Sequence, residues 1–259
     1  MQKILLLCCA VFTFNACTTM KPAVASKDPA GIGQSAHDLK KVSKPLAAQY
    51  LVRLPQDYDA DSKKSFPLIL FLHGAGERGT NVWKATTHGP SKYIQNHPES
   101  PFILVTPLCP SNEVWSSDVL LALLDEVEKT YRVDQHRVYL TGLSMGGYGS
   151  WELGLSNPGR FAAMAPICGG ANLIHLTLAQ KGYWPKSQVE QLQTLGIWAF
   201  HGDKDTVVPP SESKRLMEEL QKVKVKDFKL TIYPEATHNS WTESYNNPEL
   251  YEWFLQHKR

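Results

Sequence analysis

The stretch "TGLSMGGYGSW", residues 141–151, follows the apolar run "HRVYL" and sets one serine among four glycines. Glycine is a poor residue for opening a helix unless the backbone must pass close to a neighbour or adopt an unusual conformation. Gly142-Leu143-Ser144-Met145-Gly146 has the spacing Gly-x-Ser-x-Gly. Between a strand and a helix, that spacing describes a tight turn that strains the serine backbone, lifts its hydroxyl and leaves room only for glycine beside it. The alternative is a glycine-rich turn around an idle serine.

Working outward from this turn, the chain offers six further runs of strand character. "QYLVRL" (49–54) alternates, whereas "PLILFLHG" (67–74), "PFILVTP" (101–107), "FAAMAPICGG" (161–170), "GIWAFHG" (196–202) and "FKLTIYP" (228–234) are apolar runs closed by Gly or Pro. With "HRVYLTG" (136–142) they predict strands buried on both faces of a mostly parallel sheet. Helical segments lie between them. "SSDVLLALLDEVEKTY" opens on serines that can cap and sets Leu120, Leu123, Leu124 and Val127 on one face. "SESKRLMEELQKVK" opens on a similar cap, and "NPELYEWFLQHK" closes the chain. Strands alternating with helices mean a single α/β domain, expected over residues 46–259.

The N-terminus reads differently. Residues 1–16, "MQKILLLCCAVFTFNA", place a lysine ahead of an apolar stretch from Ile4 to Phe14, which predicts a signal peptide too short to span a bilayer. "FNAC" resembles the bacterial lipobox, which implies acylation of Cys17, although Phe14 and Asn15 stand where that motif has Leu and a small residue. No acidic retention signal follows Cys17, so the resemblance implies an outer-membrane lipoprotein tethered to the lipid bilayer; a plainly exported periplasmic or secreted protein is the alternative. Residues 18–45, rich in Ala, Ser, Lys and Pro, read as a tether after the lipidated cysteine, so the expected bounds are 1–16, 17–45 and 46–259.

A net charge of +2, or +1 once the signal and its single lysine are removed, gives no electrostatic case for nucleic acid. Cys8 and Cys9 would leave with the signal, so the mature domain keeps only Cys109 and Cys168, expected to be free and buried. There is no Cys-x-x-Cys pattern to suggest zinc or redox chemistry.

A serine nucleophile needs a base, and the base needs an orienting acid. The chain order for a Gly-x-Ser-x-Gly turn is Ser, then Asp or Glu, then His. Four histidines follow Ser144. His257 sits in the last helical turn, His201 directly follows a strand, and His175 precedes every downstream aspartate. His238, in "PEATHNSW" past the last strand, is left as the base. The acid is Asp203 or Asp205 in "HGDKDTVVP"; Asp205 projects further toward the histidine, while Asp203 suits bracing the turn or binding backbone amides. His201, Asp203 and Asp205 read as metal ligands are the competing option, but three groups so close in sequence converge poorly without further partners. The oxyanion needs two N–H donors. Met145 follows the nucleophile, and Ala75 in "HGAGERG", with Gly76 as fallback, supplies the other.

"LHGAGERGTN", residues 131–170 around Ser144, "HGDKDTVVP" and "ATHNSW" together resemble the branch of the α/β-hydrolase superfamily containing feruloyl-esterase-like, poly(3-hydroxybutyrate)-depolymerase-like and dienelactone-hydrolase-like enzymes. The resemblance runs from about residue 48 to 257. It implies the α/β-hydrolase fold with sheet order 1-2-4-3-5-6-7-8, in which two strands separate those preceding Cys109 and Cys168. It also implies the catalytic set Ser144, Asp205 and His238, with Ala75 and Met145 as oxyanion donors. The expected reaction is hydrolysis of small acyl or carbohydrate-linked esters through an acyl-enzyme, needing no cofactor and no metal. A serine peptidase with the same triad is the alternative, and a non-catalytic surface binding module the remoter one. The 25 residues from 171 to 195 are too few for a large lid, which predicts an open cleft. Trp115, Trp184 and Trp241, together with Gly76, are the candidate substrate contacts, with plain wall packing as the other reading of each tryptophan. Arg78 is expected to hold the oxyanion loop through an ion pair.

Overall fold

The computed structural model describes residues 48–259; the expected signal peptide, Cys17 and the tether lie outside the described residues. In chain order the elements are β1 (Gln49–Arg53), β2 (Phe66–Leu72), α1 (Pro90–Asn96), β3 (Ile103–Leu108), α2 (Ser117–Thr130), β4 (Val133–Leu143), α3 (Met145–Ser156), β5 (Ala163–Ile167), α4 (Ile174–Gln180), α5 (Lys186–Thr194), β6 (Gly196–Gly202), α6 (Ser211–Val223), β7 (Phe228–Tyr233), α7 (Trp241–Asn246) and α8 (Pro248–Gln256). Three short 3-10 turns, the first at Ala75–Glu77, punctuate the loops.

The strands form one sheet in the order β1-β3-β2-β4-β5-β6-β7. Only β1 runs antiparallel, paired with β3 from Gln49 opposite Leu108 to Arg53 opposite Leu104. Seven strands are present among the described residues, one fewer than the resemblance implies. Among the described residues their order is the implied one without its first strand, and "QYLVR" stands at the edge paired with β3.

Burial follows the sheet's layering. Every residue of β2 and β6 is buried, whereas the edge strand β7 is only half-buried. Side chains alternate along β2. Leu68, Leu70 and Leu72 join a core with Leu140, Trp151 and the inner faces of α2 and α6. Ile69 and Phe71 point the other way, into a core with Tyr139, Tyr251, Trp253 and Phe254. Each fully buried Leu or Phe contributes about 1.5–3 kcal/mol, which is why continuous apolar runs mark the central strands. The expected face of α2 is the buried one, Leu120, Leu123, Leu124 and Val127.

The helix starts depart from expectation. Ser116 is the N-cap of α2, but its hydroxyl makes no cap hydrogen bond. In α6 the cap position is Pro210 and Ser211 is already helical. Acidic residues in the first turns, Asp118 and Glu212, offset the helix dipoles there. At α8 the Asn247 side chain accepts from the Glu249 N–H at 3.0 Å, ahead of Pro248 at the first helical position.

Cys109 and Cys168 are free and buried, with β2 and β4 between the strands that precede them. Burial pushes the Cys168 thiol up to about 12.

Candidate active site

The functional groups collect where the parallel strands end. The β4–α3 turn holds Ser144 at φ 52°, ψ −115°, a left-handed conformation unusual for a residue with a side chain. Such strain costs of order 1–3 kcal/mol and persists only where the surroundings over-determine it. They do so here through contacts with no room for a side chain. A Cβ on Gly142 would meet the Gly146 carbonyl oxygen at 2.3 Å, and one on Gly146 would meet the Leu72 oxygen at 1.9 Å. The Ser144 N–H donates to the Ile167 oxygen at 3.0 Å, tying the turn to β5.

The loop after β7 brings His238 over this turn. Its Nε2 lies 2.9 Å from Ser144 Oγ, and its Nδ1 lies 2.8 Å from Asp205 Oδ2. Asp205 is 5% exposed, and its Oδ1 accepts the Val207 and Val208 N–H groups at 2.9 Å each. With both oxygens accepting, the carboxylate accepts a hydrogen bond from His238 Nδ1–H, which leaves the Nε2 lone pair facing the serine hydroxyl.

The neighbouring polar groups have other work. Asp203 does not take the amides expected of it; Asp205 does, and the Asp203 carboxylate pairs with Lys214 at 3.3 Å in solvent. His201 is fully buried, between the Ser213 hydroxyl at 2.7 Å and the Val208 carbonyl at 2.8 Å. Burial lowers its pKa from the ordinary 6.5. His201, Asp203 and Asp205 therefore do not converge on a point, and no group of three metal-ligating side chains occurs among the described residues.

Ala75 opens the 3-10 turn after β2, and Met145 opens α3. N–H groups at first helical positions have no intrahelical acceptor and are free to donate elsewhere. The Ala75 turn is braced from beneath by His73, a residue the sequence reading passed over. Its Nδ1–H donates to the Gly74 oxygen at 2.7 Å, and its Nε2 accepts the Cys109 N–H at 3.0 Å. Burial lowers the His73 pKa, so it stays a neutral strut. Arg78 also holds this turn, but through the Ala75 and Glu113 carbonyls at 3.0 and 3.1 Å and not through the expected ion pair. Carbonyls that are left over in a tight turn need donors, and a guanidinium supplies several at once.

A cleft of about 500 Å³ opens beside Ser144, lined by Trp115, Met145, Tyr148, Glu152 and Asn172 among others. Trp115 is fixed by its indole N–H to the His73 oxygen at 3.1 Å and by packing across Gly149. Trp241 stands edge-on to His238, ring centres 5.5 Å apart, outside the cleft lining. Trp184 rests against His175 and the core and is not among the residues lining the cleft, and Gly76 is exposed on the Ala75 turn with open space around it. Tyr148 and Glu152 went unread in the sequence, yet with Ser144 they repeat at every fourth residue, the spacing that puts side chains on one helix face.

Residues 47–253 match the family described as "Putative esterase". The "Probable feruloyl esterase C" of Aspergillus niger is 30% identical over 128 residues, 47% of this chain and 46% of that protein. The bifunctional acetylxylan esterase/xylanase of Neocallimastix patriciarum is 29% identical over 149 residues, 55% of this chain and 20% of that protein. Among solved structures, a thermostable esterase superposes with a TM-score of 0.69 at 30% identity, covering 91% of this chain and 62% of that one. A ferulic acid esterase, 18% identical with a TM-score of 0.59, shares the α/β-hydrolase fold. The match spans less than half the length of the first of these curated relatives.

Proposed function

The chain belongs to the Esterase family, and on that premise we propose that it hydrolyses carboxylic esters with Ser144 as nucleophile, His238 as base and acid, and Asp205 as the group that orients His238. The hydrogen-bonded series from Asp205 Oδ2 through His238 to Ser144 Oγ, at 2.8 and 2.9 Å, carries the reading.

Ser144 Oγ attacks the ester carbonyl carbon as His238 Nε2 takes its proton, and the carbonyl π pair moves onto oxygen. The Ala75 and Met145 N–H groups stabilise that oxyanion. As it collapses, the bond to the alcohol oxygen breaks and Nε2–H returns the proton to the alcohol, leaving an acyl-serine. Water, deprotonated by the same imidazole, repeats the sequence; the acid leaves and Ser144 regains its hydrogen. Asp205 stays ionised and holds the Nδ1–H tautomer.

Small acyl and carbohydrate-linked esters are the substrate class the relatives' names favour. The signal-like N-terminus and Cys17 support export with attachment to a membrane by acylation. Among the described residues no helix is long and apolar enough to cross a membrane. The test is a screen of the mature protein against short acyl esters, acetylated xylan, feruloylated sugars and a peptide panel, with Ser144→Ala beside it. Ester hydrolysis lost in the variant by roughly a thousandfold or more is expected. Cleavage of peptides without esters would overturn the reading.

A further inference from the structure

The alcohol side of Ser144 carries an acidic group that the proposed reaction does not use. The leaving alcohol must lie within reach of His238 Nε2, which returns its proton, while the carbonyl oxygen faces the Ala75 turn. The alcohol therefore departs between that turn and the His238 loop. Three side chains stand in series along this side. Trp241 is edge-on to His238, with ring centres 5.5 Å apart. The His88 ring lies 5.7 Å from that of Trp241. Glu77, which ends the Ala75 turn, brings its Oε1 to 3.8 Å from His88 Nε2.

Glu77 is a charge without a countercharge. Its side chain is only 13% exposed, and Oε2 is buried with no hydrogen-bond partner among the described residues. His73 Nδ1 lies 4.0 Å from that oxygen, but its proton goes to the Gly74 carbonyl at 2.7 Å, and burial keeps the ring neutral. His88 stays beyond hydrogen-bond range. Arg78, next in the chain, is spent on the Ala75 and Glu113 carbonyls, and no Lys or Arg among the described residues pairs with Glu77. An acceptor left in this way is costly until something positive or donating meets it. The carboxylate is also close to the nucleophile turn. A Cβ on Gly74 would lie 3.1 Å from Glu77 Oε2 and 2.8 Å from the side chain of Leu143, the residue before Ser144. Trp241 is partly exposed while its indole N–H is buried, so what it presents outward is ring. A carboxylate near an aromatic ring suits an organic cation, because Coulomb attraction and the ring quadrupole both favour an ammonium and neither requires a directed hydrogen bond.

We infer that Glu77, with Trp241 and His88 beside it, forms an alcohol-side subsite that favours esters whose leaving alcohol carries an ammonium group. This rests on the ester-hydrolase reading above and adds to it a charge preference on the far side of the scissile bond from the acyl group. The same field disfavours alcohols that carry an anion.

The experiment compares kcat/KM for acetylcholine and 3,3-dimethylbutyl acetate in wild type, E77Q and E77D, at about pH 8, above the ordinary imidazole range. The two esters share an acyl group and a shape, and differ only in a charged nitrogen or a neutral carbon on the alcohol. Wild type is expected to prefer the choline ester by roughly tenfold at low salt, the scale of one attraction between unit charges near a protein surface. That preference should shrink as salt is raised to about 0.5 M. It should collapse toward unity in E77Q, mostly through KM, and be largely kept in E77D, which retains the charge. Should E77Q not fold, the salt series on wild type decides: a preference that salt leaves unmoved overturns the subsite. Equal turnover of the two esters by wild type, or a preference that survives in E77Q, overturns it while leaving the hydrolase reading intact. A wild type that hydrolyses no ester at all overturns both.

Discussion

His201 and His238 flank the same carboxylate oxygen, at 3.4 and 2.8 Å from Asp205 Oδ2. One comes from the end of β6 and the other from the loop after β7, and they have the same ring, yet their partners differ. Both His201 nitrogens are occupied by the protein itself, one by the Ser213 hydroxyl and one by the Val208 carbonyl, in a fully buried site. His238 commits only Nδ1 to structure; its Nε2 faces Ser144. Under the proposed mechanism, what separates a proton-transferring histidine from a bracing one is a nitrogen left to the nucleophile, not nearness to an acid.

The largest contrast is expected in turnover. His238→Ala should lower kcat on a short acyl ester by roughly three to six orders of magnitude, with melting temperature little changed, since removing any triad member leaves only binding and oxyanion stabilisation. Steady-state kinetics on p-nitrophenyl acetate checks this. Asp205→Ala should follow closely in kcat and, unlike His238→Ala, should also destabilise the fold, because the Val207 and Val208 amides lose their acceptor.

His201→Ala should reverse the balance. It leaves a cavity, an unsatisfied Val208 carbonyl and an unpaired Ser213 hydroxyl, at a cost of about 2–4 kcal/mol in urea unfolding. Its effect on kcat should be smaller than that of His238→Ala, arising only as the Asp205 loop shifts. A kcat loss equal to that of His238→Ala would erase the distinction drawn between the two rings.

A pH series sharpens the same comparison. Burial lowers the pKa of His201, and of His73, below the ordinary 6.5 in the folded state. Below that value the unfolded chain binds more protons than the native one, so unfolding free energy rises with pH through this range. The stabilisation is complete above the unfolded value and is lost as pH falls through the depressed folded values. Urea midpoints measured from pH 7.5 down to 5 should fall, and the fall should be shallower in His201→Gln, which has no ring to charge.

The parts legible in the sequence are those where one residue type meets one local demand. Gly142 and Gly146 announce the turn at Ser144 because backbone oxygens stand where their side chains would be. Leu120, Leu123, Leu124 and Val127 announce the inner face of α2 because burial repeats with the helix. Chain order and position after a strand narrowed the base to His238 and the acid to Asp203 or Asp205, and the fold brings His238 and Asp205 to Ser144. What the sequence left unread depends on partners distant along the chain. Arg78 reaches the Glu113 carbonyl, His73 takes the Cys109 amide, and Glu152 is held by His175. No spacing rule encodes those meetings, which follow from loops crossing at the sheet's end. The antiparallel edge pairing of β1 escaped for the same reason, since alternation shows a half-buried strand but not its direction.

The smallest expected effect tests the division of labour between the two aspartates of one loop. Asp203 and Asp205 are two residues apart, and either could have been the acid on sequence grounds. The Asp203 carboxylate is about half exposed and meets only the equally exposed Lys214, a pair worth about 0–1 kcal/mol. The contact that matters at this position is made by its backbone, whose N–H donates to the Tyr233 oxygen at 2.9 Å and survives any side-chain change. Asp203→Ala should therefore leave kcat and KM within about twofold of wild type and shift stability by less than about 1 kcal/mol, less still at high salt. Because the neighbouring Asp205→Ala should cost orders of magnitude, a comparable loss in Asp203→Ala would place the orienting carboxylate on the wrong residue and with it the hydrogen-bonded path to Ser144.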